Sequence, residues 1–173
     1  MSVTRPASLG DAAELAELYG QNREFLAPWE PARDEEFFTE AAQRAGLAVM
    51  LDEHARGKAV PRMIVDEDGA IAGRINLVDI VRGAFQSGNL GYWVSGKANG
   101  RGLATRAVGE IVRIAFEDMD LHRVQAATLV HNARSQKVLE RNGFVRYGTA
   151  PDYCKIAGRW QDHTLFQLIR PDA

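Results

Sequence analysis

The sequence holds one cysteine, Cys154, so no disulfide forms within the chain and no thiolate cluster is available to a metal. Long apolar runs are also missing. No window approaches the ~18 apolar residues of a membrane span, and the opening MSVTRPASLGD lacks the apolar core of a secretory signal. A cytoplasmic protein with no membrane partner is expected. Neither sign of charge dominates: 21 basic side chains face 23 acidic ones, for a net charge of −2. That balance supplies no basic footprint for nucleic acid and no polybasic anchor, so any encounter with RNA would be local. The four histidines are scattered, with no HxxxH pair, and no metal site is expected. With no repeat, low-complexity stretch or linker, residues 1–173 are expected to form one domain, large enough to bury its own core. Oligomeric state is open between monomer and homodimer.

What is present is periodic. Ser8 stands three residues before Asp11, a variant capping box, and Ala12, Leu15, Leu18 and Tyr19 recur at helical spacing, predicting a helix near 10–21. The prolines of NREFLAPWEP interrupt the chain around Trp29. DEEFFTEAAQRAGLAVMLDEHARG (34–57) reads as helix again. From Pro61 the texture is β-rich, with a hairpin signal at Asp68-Gly69. NLGYWVS (89–95) is a strand, 101–118 a helix, HRVQAATLV (122–130) a strand and 132–142 a short helix closed at Asn142-Gly143. Two strands linked near Gly158 finish the chain. The order predicts an α+β fold: a mixed, mostly antiparallel central sheet with helices on both faces.

KANGRGLATRAV (97–108) has the look of a phosphate-holding turn before a helix. A Walker A loop fails at its lysine, because Gly96 is followed four residues later by Arg101-Gly102. A dinucleotide fingerprint starts at Gly100 and Gly102 but meets Thr105 at its sixth position. A plain strand-to-helix turn with no ligand is the remaining local alternative.

The third phosphate loop is Gln/Arg-x-x-Gly-x-Gly/Ala, and here Asn99 leads to Gly102-Leu103-Ala104. With NLGYWVS before it and HNARSQKVLERNGF after it, the chain resembles the GCN5-related N-acetyltransferase (GNAT) superfamily. NREFLAPWEP, VDIVRGAF, LHR, RNGF and DYCKIAGRWQDH resemble its RimJ/RimL branch, the ribosomal-protein alanine N-acetyltransferases, over residues 22–167. The resemblance implies two central parallel strands, at about 88–95 and 122–130, splayed into a V. It implies acetyl-CoA as co-substrate, its arm pairing with the backbone of Tyr92, Trp93 and Val94. Its pyrophosphate would meet Asn99, Gly100, Arg101, Gly102, Leu103, Ala104 and Thr105, where backbone N–H groups and the helix dipole favour anions. In the N-x-x-S pattern, Asn132 is either a helix N-cap or a hydrogen-bond partner of the cofactor, and Ser135 either a first-turn cap or the acid that protonates the leaving thiolate. The backbone N–H of Val94 is the expected oxyanion donor.

Acetyl transfer also needs a neutral amine. An α-amine is already roughly one-fifth neutral at cytoplasmic pH, a lysine amine only about one part in a thousand. Some RimL-like relatives place a glutamate base where this chain has Cys154. Asp152, acting through water, is the first substitute and Glu30 the second, although Asp152 also reads as a turn residue after Pro151. His131 and His163 are read as structural. Phe25, Trp29, Glu30 and Arg82 are the expected acceptor-side residues. The expected activity is acetylation of a protein N-terminus, of the ribosomal-protein type. The alternatives are a small-amine or antibiotic acetyltransferase and a CoA-binding ribosome-assembly factor.

Overall fold

The computed structural model describes residues 2–171. Seven strands form one sheet: β1 (Thr4–Pro6), β2 (Val60–Val65), β3 (Ile71–Val81), β4 (Ser87–Val94), β5 (Arg123–Leu129), β6 (Val145–Ile156) and β7 (Arg159–Ile169). Their order is β1-β2-β3-β4-β5-β7-β6. Every neighbouring pair is antiparallel except β4 and β5, which run parallel. This is the mixed, mostly antiparallel α+β sheet that the sequence predicts.

The strands read as strands because their buried residues alternate between two cores. Met63 joins one core and the adjacent Ile64 the other, and both are fully buried. On one face lie α1 (Ala12–Gln21), the single turn α2 (Arg23–Leu26) and α3 (Glu40–Ala55), with Leu15, Tyr19 and Leu47 packed on Met63 and Ile71. On the other lie α4 (Leu103–Arg113) and α5 (Ala133–Arg141). Leu103, Ala107, Val108 and Ile111 put one stripe of α4 into the larger core, against Ile64, Ile75 and Leu77. Each fully buried Leu or Ile contributes about 1.5–3 kcal/mol relative to exposure.

Two short elements escape the periodicity. β1 is three residues long and joins the sheet edge through side-chain anchoring: the Glu110 carboxylate accepts from Val3 N (2.7 Å) and Thr4 N (3.0 Å). The segment Ile114–Asp118 continues α4 as a π turn, so the predicted 101–118 helix is regular only to Arg113.

Gly73 on β3 is where the sheet admits no side chain. A Cβ there would lie 2.2 Å from the carbonyl oxygen of Trp93 and 2.9 Å from Cα of Val94. Since backbone atoms cannot rotate away, Gly73→Ala is expected to push β4 off β3 and cost about 1–3 kcal/mol or more. A urea melt measures the loss, and exchange-protected amides in β4 should open with it.

Candidate active site

β4 and β5 are hydrogen-bonded neighbours only from Ser87↔Arg123 to Leu90↔Ala126. Beyond that point they part. The register of β4 on β3 decides which polar groups the parting exposes. Ser95 N–H donates to the Ala72 carbonyl at 2.8 Å. Polar groups in an antiparallel ladder alternate between flanking strands, so residues 95, 93 and 91 face β3. The N–H and C=O groups of Tyr92 and Val94 then face the gap. Trp93 therefore uses its backbone on β3, which corrects its expected place on the cofactor-facing edge. Its indole Nε1 instead donates to the Tyr19 hydroxyl at 2.9 Å, on the α1 side of the sheet.

The gap opens into a cleft of about 540 Å³ lined by Phe25, Trp29, Val94, Asn99, Ala104 and the first turn of α5. At its inner end the Tyr92 hydroxyl lies 2.9 Å from Ser135 Oγ. Burial pushes the Tyr92 phenol up to about 12, only partly offset by that hydrogen bond, so it stays protonated at neutral pH. Asn132 Oδ1 accepts from Ser135 N at 3.1 Å, capping α5 and fixing Ser135 on its first turn.

At the outer end, Gly100 and Gly102 take φ of 79° and 75°, a left-handed conformation that glycine adopts freely. Gly102 is the N-cap of α4, leaving the N–H groups of Leu103, Ala104 and Thr105 without partners inside the helix. Leu103 is buried in the core, so only its backbone is available to a ligand, whereas Ala104 lines the cleft. The Thr105 carbonyl accepts from Asn142 Nδ2 at 3.1 Å. The exposed Arg101 pairs with Glu67 at 3.5 Å. Asn22, invisible to motif reading, holds the start of this loop. Its Oδ1 accepts from Gly96 N at 2.9 Å and its Nδ2 donates to the Leu18 carbonyl at 2.7 Å, tying the loop to the end of α1.

Behind the cleft lies a chamber of about 190 Å³ that shares Leu26, Trp29, Tyr92, Trp93, Asn132 and Ser135 with it. Gly91, Ala126 and Ala127 keep its walls small, and Glu30 and His163 also border it. Burial raises the Glu30 carboxyl above the usual carboxylate range, with Arg33 and Arg74 pulling it partly back. The Glu30 carbonyl accepts from Ala157 N at 2.9 Å, pinning the PWEP loop to the β6–β7 turn. Trp29 stacks on His131 with ring centres 5.5 Å apart.

Of the expected site residues, the fold gathers Phe25, Trp29, Tyr92, Trp93, Val94, Asn99, Ala104, Asn132 and Ser135 along the cleft, with Glu30 in the chamber behind it. Phe25 sits on the loop side, beside Gly96. Two residues lie elsewhere. Asp152 is on the outermost strand, exposed, at a bulge with φ of 45°, where its N–H donates to Asp162 Oδ1 at 3.0 Å. β7 separates it from the gap, so it borders neither cleft nor chamber. Arg82 sits at the other end of β4, where the pair is still closed, and its guanidinium donates to the Met119 carbonyl. The half-buried Cys154 pairs opposite Gln161, and burial raises its thiol. Among the described residues, no group of three His, Cys, Asp or Glu side chains is placed to hold a metal, and no helix is long and apolar enough to cross a membrane.

A parallel pair that parts over a helix N-terminus, with a hydroxyl pair at the apex, defines an acyltransferase of the N-acetyltransferase type. The sequence pattern described as the acetyltransferase (GNAT) domain matches residues 3–145, and the chain belongs to that family. It is 39% identical over 163 residues to the [ribosomal protein uS5]-alanine N-acetyltransferase of Escherichia coli K12, covering 94% of this chain and 84% of that protein. The ribosomal-protein-S5-alanine acetyltransferase of Vibrio fischeri superposes with a TM-score of 0.93 at 35% identity, over 98% of this chain and 93% of its own. RimJ of Mycobacterium smegmatis, solved in complex with CoA-disulfide, gives 0.92 at 28% identity, over 96% and 80%.

Removing the Asn22 side chain leaves the Gly96 N–H without its acceptor, a loss of about 1–3 kcal/mol. Asn22→Ala should lower stability by that amount in a denaturant melt. Hydrogen exchange should place the loosening at residues 96–102.

Proposed function

We propose that this chain moves the acetyl group of acetyl-CoA to the N-terminal α-amine of a protein, a ribosomal protein beginning with a small residue such as alanine. The observation that carries the reading is the Ser135–Tyr92 hydroxyl pair standing where β4 and β5 part. The acceptor class follows the alanine N-acetyltransferases of E. coli and V. fischeri, to which the chain is similar over nearly its whole length. The small walls of the chamber suit a small first residue. A ribosomal acceptor places the enzyme in the cytoplasm.

The residues fit the co-substrate. Gap-facing groups of Tyr92 and Val94 offer an edge on which an amide-bearing arm completes the interrupted ladder. The Asn99–Thr105 turn and the α4 N-terminus present N–H donors to a pyrophosphate. Acetyl-CoA supplies an acyl group already activated on sulfur. Val94 N–H is placed to donate to the thioester oxygen as charge develops there. Ser135, hydrogen-bonded to the protonated Tyr92, gives a proton to the departing thiolate. Asn132 acts through Ser135 by fixing the turn that carries it. Glu30 attracts the cationic amine into the chamber, and Trp29 walls its entrance.

Free-thiol release measured over N-terminal peptides, lysine peptides and small amines tests the assignment. Alanine-first peptides should be acetylated at the α-amine, with lysine peptides slower by orders of magnitude; turnover confined to small amines would overturn the acceptor class. Ser135→Ala should lower kcat about 10²-fold while calorimetry shows CoA affinity within a factor of about two. Because Tyr92 is pushed up to about 12, the thiolate-protonating pair stays protonated, and kcat should not decline between about pH 7 and 9.

A further inference from the structure

Ser135 and Tyr92 serve the sulfur, yet a proton must also leave the nitrogen. Asp152 lies outside the chamber. Two described titratable groups besides Tyr92 border it: Glu30, from the PWEP loop, and His163, from β7. His163 is 6% exposed, a deep burial for an imidazole. It pairs opposite Leu129 on β5, beyond the last β4–β5 pair at Ala126, and it borders the chamber. Its Nδ1 lies 2.9 Å from the Gln161 carbonyl, an acceptor only. In the neutral ring Nδ1 therefore carries the hydrogen, and Nε2 is left as the acceptor. The anchor is itself held, since Gln161 Nε2 donates to the Ile156 carbonyl at 2.9 Å across the β6–β7 turn.

We propose that His163 is the general base of the transfer, its Nε2 taking the proton of the acceptor amine directly or through one water. The proposal rests on the N-terminal acetylation reading and adds its missing base. Imidazoles and α-amines have proton affinities within one or two pH units of each other as classes, which suits exchange between them. In the step, the amine nitrogen bonds to the thioester carbonyl carbon and the C–S bond breaks. One proton passes from nitrogen to Nε2 while another passes from the Ser135–Tyr92 pair to sulfur. The imidazolium proton then returns through solvent to that pair, so the products are an amide and a free thiol. The groups facing the ring are Glu30 on the opposing loop, Tyr92 across the chamber and the Tyr153 ring on β6, 5.4 Å away. No lysine or arginine borders the chamber, so Glu30 supplies the only fixed charge that steadies the imidazolium.

The test is the pH profile of thiol release with acetyl-CoA and an alanine-first peptide. His163→Asn keeps a donor for the Gln161 carbonyl and removes the Nε2 acceptor; His163→Gln keeps a polar group near Nε2 that cannot accept a proton. Both should lower kcat about 10²-fold or more, flatten the ascending limb of the profile and leave CoA affinity and the melting temperature near wild type. A variant that binds CoA, melts normally and turns over at the wild-type rate with the wild-type limb overturns the assignment. Should both variants unfold, wild-type enzyme decides. Peptides whose α-amine is acidified by fluorination should leave the limb of kcat unmoved if His163 sets it, whereas a limb that follows the amine overturns the proposal. Wild-type enzyme that releases no thiol with any N-terminal peptide sinks the acetylation reading itself, a result distinct from a silent His163 variant.

Discussion

The molecule is organised around one broken ladder. β4 and β5 pair for four residues, then separate, and the register of β4 on β3 leaves Tyr92 and Val94 with polar backbone and no strand to receive it. Unpaired buried amides are unfavourable by a kcal/mol or more each, so the rest of the sheet must hold them in place. Gly73 does this by lying against the Trp93 carbonyl, and Tyr19 does it by accepting from the Trp93 indole. Residue alternation then distributes the work. Trp93 binds β4 to α1, while Tyr92 on the opposite face reaches Ser135 on α5. One strand thus supplies both an unpaired backbone edge and the hydroxyl that meets Ser135.

The two ends of the cleft are held by contacts distant in sequence. Asn22 fastens the turn after β4 to the end of α1, and Glu30 fastens the PWEP loop to the β6–β7 turn. The same turn carries the Gln161 anchor of His163. The turn after β4 and the PWEP loop are thus each tied down by a hydrogen bond distant in sequence. Loosening the PWEP loop would alter the chamber and the cleft together, because Leu26 and Trp29 border both.

Electrostatically the site divides by bank. On the α5 side, burial raises Tyr92 and keeps its proton for donation. On the loop side, burial raises Glu30 while Arg33 and Arg74 restrain it, so its charge is sensitive to what enters. An incoming ammonium stabilises the carboxylate by the same Coulomb attraction that draws the amine in. A phenol and a carboxyl, both raised by burial, thereby border one chamber of about 190 Å³.

Residue order alone carried much of this. Strand alternation around Met63 and Ile64, the stripe Leu103–Ala107–Val108–Ile111, and the two glycines before it are local patterns, and the α+β sheet and phosphate-type turn follow from them. Asn132 and Ser135 were legible because a cap and a first-turn hydroxyl are three residues apart in the chain. Long-range geometry was not. The sequence does not say that β7 lies between Asp152 on β6 and the gap. Arg82 looked like an acceptor residue until the parallel pairing showed which end of β4 stays closed. Asn22 and Tyr19 belong to no motif; their roles arise where chain segments many residues apart come within hydrogen-bonding distance. The sequence by itself determined the elements and the class of chemistry, since both depend on local periodicity and spacing. Only the tertiary structure decided which side chains border the cleft and the chamber, because that depends on strand order and on where one ladder stops.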